Sequence, residues 1–182
     1  MLTRRDFLES VVKTTAAIVP SFFLPPSLAS DFWSQPRWLH LRRTATGEEV
    51  NVCYFANGQL PVPEYHQICH LLRDVKAGQA IAMDPVLLDI LCGMQGWFRS
   101  YGQERVIQVN SGYRTPGTNS GLEGAAKNSL HMRGQAADIW FANVPTDYTA
   151  KVAMYLRGGG VGIYLSKNFC HIDKGTVRTW RG

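Results

Sequence analysis

Between Asp84 and Tyr101 the apolar residues Leu87, Leu88, Leu91, Met94, Phe98 and Tyr101 recur at steps of three and four, whereas downstream of this stretch the recurrence shortens to two. A chain that changes period in this way builds helices and strands in separate blocks. Asp84-Pro85 supplies an N-cap and a first-turn proline for the helix. An earlier helical pattern opens at Pro63-Glu64 and carries Tyr65, Ile68, Cys69, Leu72 and Val75. Before it, Trp38 to Arg42 and Val50 to Phe55 flank Thr44-Ala45-Thr46-Gly47-Glu48 and read as a hairpin. After it, Arg105 to Asn110, Ala136 to Phe141, Val161 to Tyr164 and Phe169 to Ile172 read as strands. Thr146 to Leu156 is a helix among them, capped by Thr146 and stopped by Gly158-Gly159-Gly160. The order predicts one α+β domain with a mainly antiparallel sheet and helices on one side.

The first 29 residues have a different character. Thr3-Arg4-Arg5-Asp6-Phe7-Leu8 precedes an apolar run from Val11 to Leu24, and Ser27-Leu28-Ala29 follows as a small-residue cleavage site. This is the layout of an export signal, and the paired arginines followed by Phe-Leu resemble the twin-arginine type. The run is interrupted by Lys13 and Pro20, which argues against a stable membrane-spanning helix after cleavage. The expected product is residues 30–182, acting in the periplasm. Arg4, Arg5 and Lys13 against Asp6 and Glu9 leave +1 in the signal, so the remainder holds +4 of the net +5. Its positive residues are scattered rather than gathered in a stripe, which argues against nucleic acid as a partner. The charge suits an acidic polymer. Cys53, Cys69, Cys92 and Cys170 show no CxxC or CxxH spacing, so a cysteine-rich zinc site is not expected; buried thiols and disulfides both stay open.

Metal-ligand chemistry concentrates between Ser111 and Asp173. In Ser129-Leu130-His131-Met132-Arg133-Gly134-Gln135-Ala136-Ala137-Asp138 a loop histidine is followed by an aspartate entering a strand. Gly134 permits a tight turn and the two alanines leave room, so His131 can fold back toward Asp138. In Phe169-Cys170-His171-Ile172-Asp173 the strand period puts His171 and Asp173 on one face and Cys170 and Ile172 on the other. A His2Asp set of His131, Asp138 and His171 leaves a fourth tetrahedral position for water, as a catalytic zinc requires. Arg114, in the turn Ser111-Gly112-Tyr113-Arg114-Thr115-Pro116-Gly117, can present a guanidinium to a substrate carboxylate or an oxyanion. His66 and His70 lie four apart without an acidic partner and read as surface histidines, as does His40.

These segments, with Gly159-Gly160-Val161-Gly162-Ile163-Tyr164, resemble the MepK-type murein endopeptidases, in the group of zinc peptidases that includes D-alanyl-D-alanine carboxypeptidases, lysostaphin and the hedgehog signalling domain. The resemblance runs over nearly the whole chain. It implies a hedgehog- or DD-peptidase-like domain, one Zn2+ on His131, Asp138 and His171, Arg114 at the substrate or oxyanion, and cleavage of cross-linked peptidoglycan stem peptides. Relatives often carry the general base two or three residues before the last ligand, where this chain has Phe169 and Asn168. Asp173 then serves either as the base or as the group that orients a ligand imidazole. A carboxypeptidase trimming stem peptides and a non-catalytic, zinc-containing wall-binding module are the alternatives. A Cys170–His171 hydrolase is excluded, because neighbours on a strand point to opposite faces.

Overall fold

A computed structural model describes residues 35–182, so the expected export signal over residues 1–29 lies outside the described residues. Seven strands form one sheet: β1 (Arg37–Arg43), β2 (Glu49–Phe55), β3 (Ile107–Ser111), β4 (Ala136–Phe141), β5 (Gly160–Tyr164), β6 (Phe169–Asp173) and β7 (Arg178–Arg181). Among the described residues four α-helices accompany them: α1 (Val62–Leu71), α2 (Pro85–Arg99), the short α3 (Pro116–Ser120) and α4 (Thr146–Leu156). The strand order is β2-β1-β3-β4-β6-β5-β7.

The sheet is mixed, with two parallel pairings that the sequence did not foretell. β1 runs parallel to β3 because α1 and α2 intervene and bring the chain back to the same end. β7 runs parallel to β5 because the chain leaves β6 and crosses to the far edge of β5. The other four pairings are antiparallel.

One face of the sheet is apolar. Leu39, Leu41, Ile107, Val109, Ala137, Ile139, Phe141, Val161, Cys170 and Ile172 are buried there with Ile68, Leu88, Leu91, Met94 and Ala150 of the helices. Each fully buried leucine or isoleucine contributes about 1.5–3 kcal/mol of transfer free energy, so this layer carries most of the stability. The alternate residues of the same strands, among them Trp38, Asp138, Trp140, His171 and Asp173, occupy the opposite face.

The helices begin for local reasons. Asp84 caps α2 by accepting from Val86 N–H at 3.0 Å, as its position before Pro85 predicts. Tyr101 falls beyond the end of α2 and is 43% exposed, so it is not a core residue. Thr146 is the first residue of α4 rather than its cap; Pro145 takes that place without a side-chain bond. All four cysteines are free thiols, and three of them are buried.

Candidate metal centre

The register of β4 against β6 sets Asp138 directly opposite His171. Both side chains therefore rise from the face away from the helices, at adjacent points of neighbouring strands. His131 comes from a 3-10 turn, Leu130–Arg133, that ends at Gly134 in the left-handed conformation, φ 66°. That turn folds His131 back over β4, as the spacing predicts. A Cβ on Gly134 would also lie 2.9 Å from the carbonyl of Ala82.

Three atoms converge. His131 Nε2 lies 3.2 Å from Asp138 Oδ1, His171 Nδ1 lies 3.0 Å from the same oxygen, and the two nitrogens are 3.0 Å apart. For bonds near 2.0 Å, a tetrahedral zinc requires ligand atoms about 3.3 Å apart. The triangle is thus close to one face of that tetrahedron, and the donor set fits the ion.

The lone pairs point correctly as well. His131 Nδ1 is 2.6 Å from the carbonyl of Gly112, which can only accept, so the proton is on Nδ1 and Nε2 is left free. His171 Nε2 is 3.0 Å from Asp173 Oδ2, so its proton faces that carboxylate and Nδ1 faces the triangle. Gly112 is confined by a second contact, since a Cβ there would lie 2.3 Å from the carbonyl of Leu72. The glycine lets the chain press against α1 while its own carbonyl orients His131.

His131 is 1% exposed, and burial lowers its pKa, which keeps it neutral. Asp138 is also buried; burial alone raises its pKa, but His131 and His171 hold it far below the ordinary carboxylate range. For His171, burial lowers the pKa but hydrogen bonds to Asp138 and Asp173 outweigh it, and the net shift is upward.

Arg114 lies inside the same cluster. Its Nη2 donates to Asp138 Oδ2 at 2.5 Å and to His131 Nε2 at 2.9 Å, and its Nε donates to Ser111 Oγ at 2.9 Å. Ser111 is available because the pairing of β3 with β4 slips between Val109 and Ser111, placing Ser111 opposite Asp138. Such a bulge beside a site re-aims one side chain. The next residue, Thr115, is fixed by Asp74 Oδ2, which accepts from its N–H at 2.8 Å and its hydroxyl at 2.9 Å.

Asp74 gives a pH prediction. Burial alone raises its pKa, but the hydrogen bonds from Thr115, Thr118 and Ala77 bring it down to about 2 from 3.8. A folded value below the unfolded one means that the stabilisation is complete above about pH 4 and is lost as pH falls toward 2. Its size is about 2 kcal/mol. Denaturant unfolding of the parent and Asp74→Asn between pH 2 and 6 should show the gap between them closing by that amount at the acid end.

Asp173 is fully buried and holds five donors. Oδ1 accepts from the N–H groups of Gly160 and Gly175 and from Arg178 Nη1; Oδ2 accepts from His171 Nε2 and Arg178 Nη2. Burial raises its pKa, yet His171 and Arg178 hold it well below the ordinary range. His66 and His70 stand away from the cluster on the exposed side of α1, and His40 pairs with Glu49 at 2.5 Å. Burial pushes the Cys170 thiol up to about 12, so it is no nucleophile. Among the described residues, His131, Asp138 and His171 are the group of histidine, cysteine and acidic side chains able to hold a metal ion. The sequence reading missed Arg178, Ser111 and the Gly112 carbonyl. Arg178 had no motif, but Ser111 and Gly112 lay inside the turn that carries Arg114.

The chain matches the family described as peptidoglycan L,D-endopeptidase MepK over residues 32–180. It is 36% identical to the peptidoglycan L,D-endopeptidase MepK of Escherichia coli strain K12 over 169 residues, covering 91% of this chain and 89% of that protein. It is 37% identical to the probable peptidoglycan L,D-endopeptidase MepK of Haemophilus influenzae over 153 residues, 81% of each chain. No solved structure matches it significantly.

Proposed function

The chain belongs to the MepK family of peptidases, and from that premise we propose that it is a zinc-dependent endopeptidase hydrolysing L,D peptide cross-links in bacterial peptidoglycan. The observation that carries the reading is the convergence of three lone-pair atoms, 3.0–3.2 Å apart, with the outer nitrogen of each imidazole already committed to an acceptor.

His131, Asp138 and His171 hold the ion in this proposal. Zinc supplies, when bound, Lewis acidity toward a carbonyl oxygen and toward water. A bound ion would take the lone pair of His131 Nε2, so the Arg114 contact to that nitrogen would give way, while Asp138 Oδ2, outside the triangle, can keep its bond to Nη2. Arg114, tethered through Nε to Ser111 Oγ, would then meet the substrate carbonyl oxygen as negative charge develops. The side chains of Arg114 and His171 are 14% and 13% exposed against 1% for His131, so the substrate enters past the first two. Asp173, saturated with donors, orients His171 and does not take a proton from water. The hedgehog- or DD-peptidase-like architecture is part of the same proposal, as is export by residues 1–29 to the periplasm. No described helix is long and apolar enough to cross a membrane.

Digestion of purified sacculi, with products separated by chromatography, tests the reading. Cross-linked muropeptides should be cut, the activity should vanish with a chelator, and it should return with zinc. Comparing L,D- with D,D-cross-linked and with uncross-linked fragments identifies the bond. Trimming of uncross-linked stems alone would make the protein a carboxypeptidase, and full metal occupancy without any cleavage would make it a binding module.

A further inference from the structure

The last strand, β7, is short and lies at the sheet edge, with β5 and β6 between it and Asp138 on β4. Its residues nonetheless reach the cluster. Gly160 pairs with Arg178 and Gly162 with Trp180, while Gly162 also pairs with His171 on the other side. A Cβ on Gly160 would lie 2.2 Å from Arg178 Nη1 and 2.6 Å from Asp173 Oδ2. One on Gly162 would lie 2.7 Å from the ring of Trp180. Two glycines, one strand period apart, thus leave β5 bare, and two long side chains of β7 lie across it toward β6.

What they touch is specific. Arg178 grips both oxygens of Asp173, through Nη1 at 3.0 Å and Nη2 at 2.7 Å, a bidentate pair. The Trp180 ring stands 5.3 Å from the His171 ring and is covered in turn by the Arg178 guanidinium at 4.8 Å. Asp173 is fully buried; without Arg178 its charge would keep only two backbone N–H groups and His171.

We infer that Arg178 is a positioning residue of the metal centre: it holds the Asp173 carboxylate against His171 Nε2 from across β5, and so fixes Nδ1 as the nitrogen that faces the ion. The inference rests on the proposed zinc site and deepens it. It makes the C-terminal edge strand part of the centre. Arginine is suited to the task because its fork meets both carboxylate oxygens at once, whereas a lysine meets one.

The experiment uses the full chain and three variants, Arg178→Met, Arg178→Lys and Asp173→Asn. Zinc affinity is measured by competition with a chromophoric chelator, and the proton position on His171 by 15N chemical shifts of the zinc-free protein. Asp173→Asn should weaken zinc about 10–100-fold and Arg178→Met about tenfold, the range for groups behind a metal ligand. Arg178→Lys should recover part of the loss. Arg178→Met takes the bidentate partner from a buried carboxylate, so the zinc-free variant should unfold below the parent temperature; circular dichroism at the assay temperature checks that it is folded there, and its His171 nitrogens should shift toward a mixture of proton positions. Affinity within twofold of the parent in Arg178→Met, whatever Asp173→Asn does, or an unchanged His171 signal in Arg178→Met, overturns the inference and leaves the zinc reading standing. A parent chain with no zinc affinity would instead sink the zinc site and this inference together.

Discussion

Replacing His131 with alanine is expected to abolish zinc binding and to lower hydrolysis of cross-linked muropeptides at least a thousandfold. The magnitude follows from the two jobs lost. The ion accounts for several kcal/mol of transition-state stabilisation, and each 1.36 kcal/mol is a factor of ten. His131 also lies at the most buried corner of the triangle, 1% exposed, and the alanine leaves no third protein donor there. Metal content of the purified variant by elemental analysis, read beside its turnover of isolated muropeptides, checks both halves. Residual activity above one hundredth of the parent, or a full complement of tightly bound zinc, contradicts the assignment of this residue.

The second large effect is expected at Arg114. Alanine there should reduce kcat by about 10²–10³, the cost of removing one preorganised donor from a developing oxyanion, with a smaller change in KM. Lysine should recover little, because Arg114 is braced through Nε on Ser111 Oγ and reaches the cluster through Nη2, a forked grip that an ammonium cannot copy. Zinc affinity should hold or rise, since a competing cation has been taken from Asp138 and His131. That opposite movement of affinity and turnover separates Arg114 from the residues that hold the ion. A variant that loses KM alone would place Arg114 at a carboxylate of the substrate instead.

Much of this arrangement is legible in the sequence, because its main elements are written in hydrophobic period. The long helix announced itself through Asp84-Pro85 and the leucines that follow, and β4 through its full length from Ala136 to Phe141. The convergence of His131, Asp138 and His171 was legible for a different reason: His131 precedes a glycine that must turn, and His171 alternates with buried Cys170 and Ile172. β7 was not. Arg178-Thr179-Trp180-Arg181 has no apolar alternation, since its inward contacts are with glycines and a carboxylate rather than with a core. The slip of β3 against β4 at Asn110 was equally silent, because a bulge changes pairing and not composition. Parallel pairing of β1 with β3 depends on where two intervening helices return the chain, which local pattern does not encode.

The facing of Asp138 and His171 across a single ladder has a consequence for quality control. Sliding β4 by a single residue would rotate Asp138 into the oily layer and leave Ala137 or Ile139 opposite the His171 imidazole. A wrongly zipped molecule would then be blind to the ion. If the chain holds zinc as proposed, the metal would proofread the fold: it would reward only the chains whose strands have been aligned correctly, and its uptake would report that alignment.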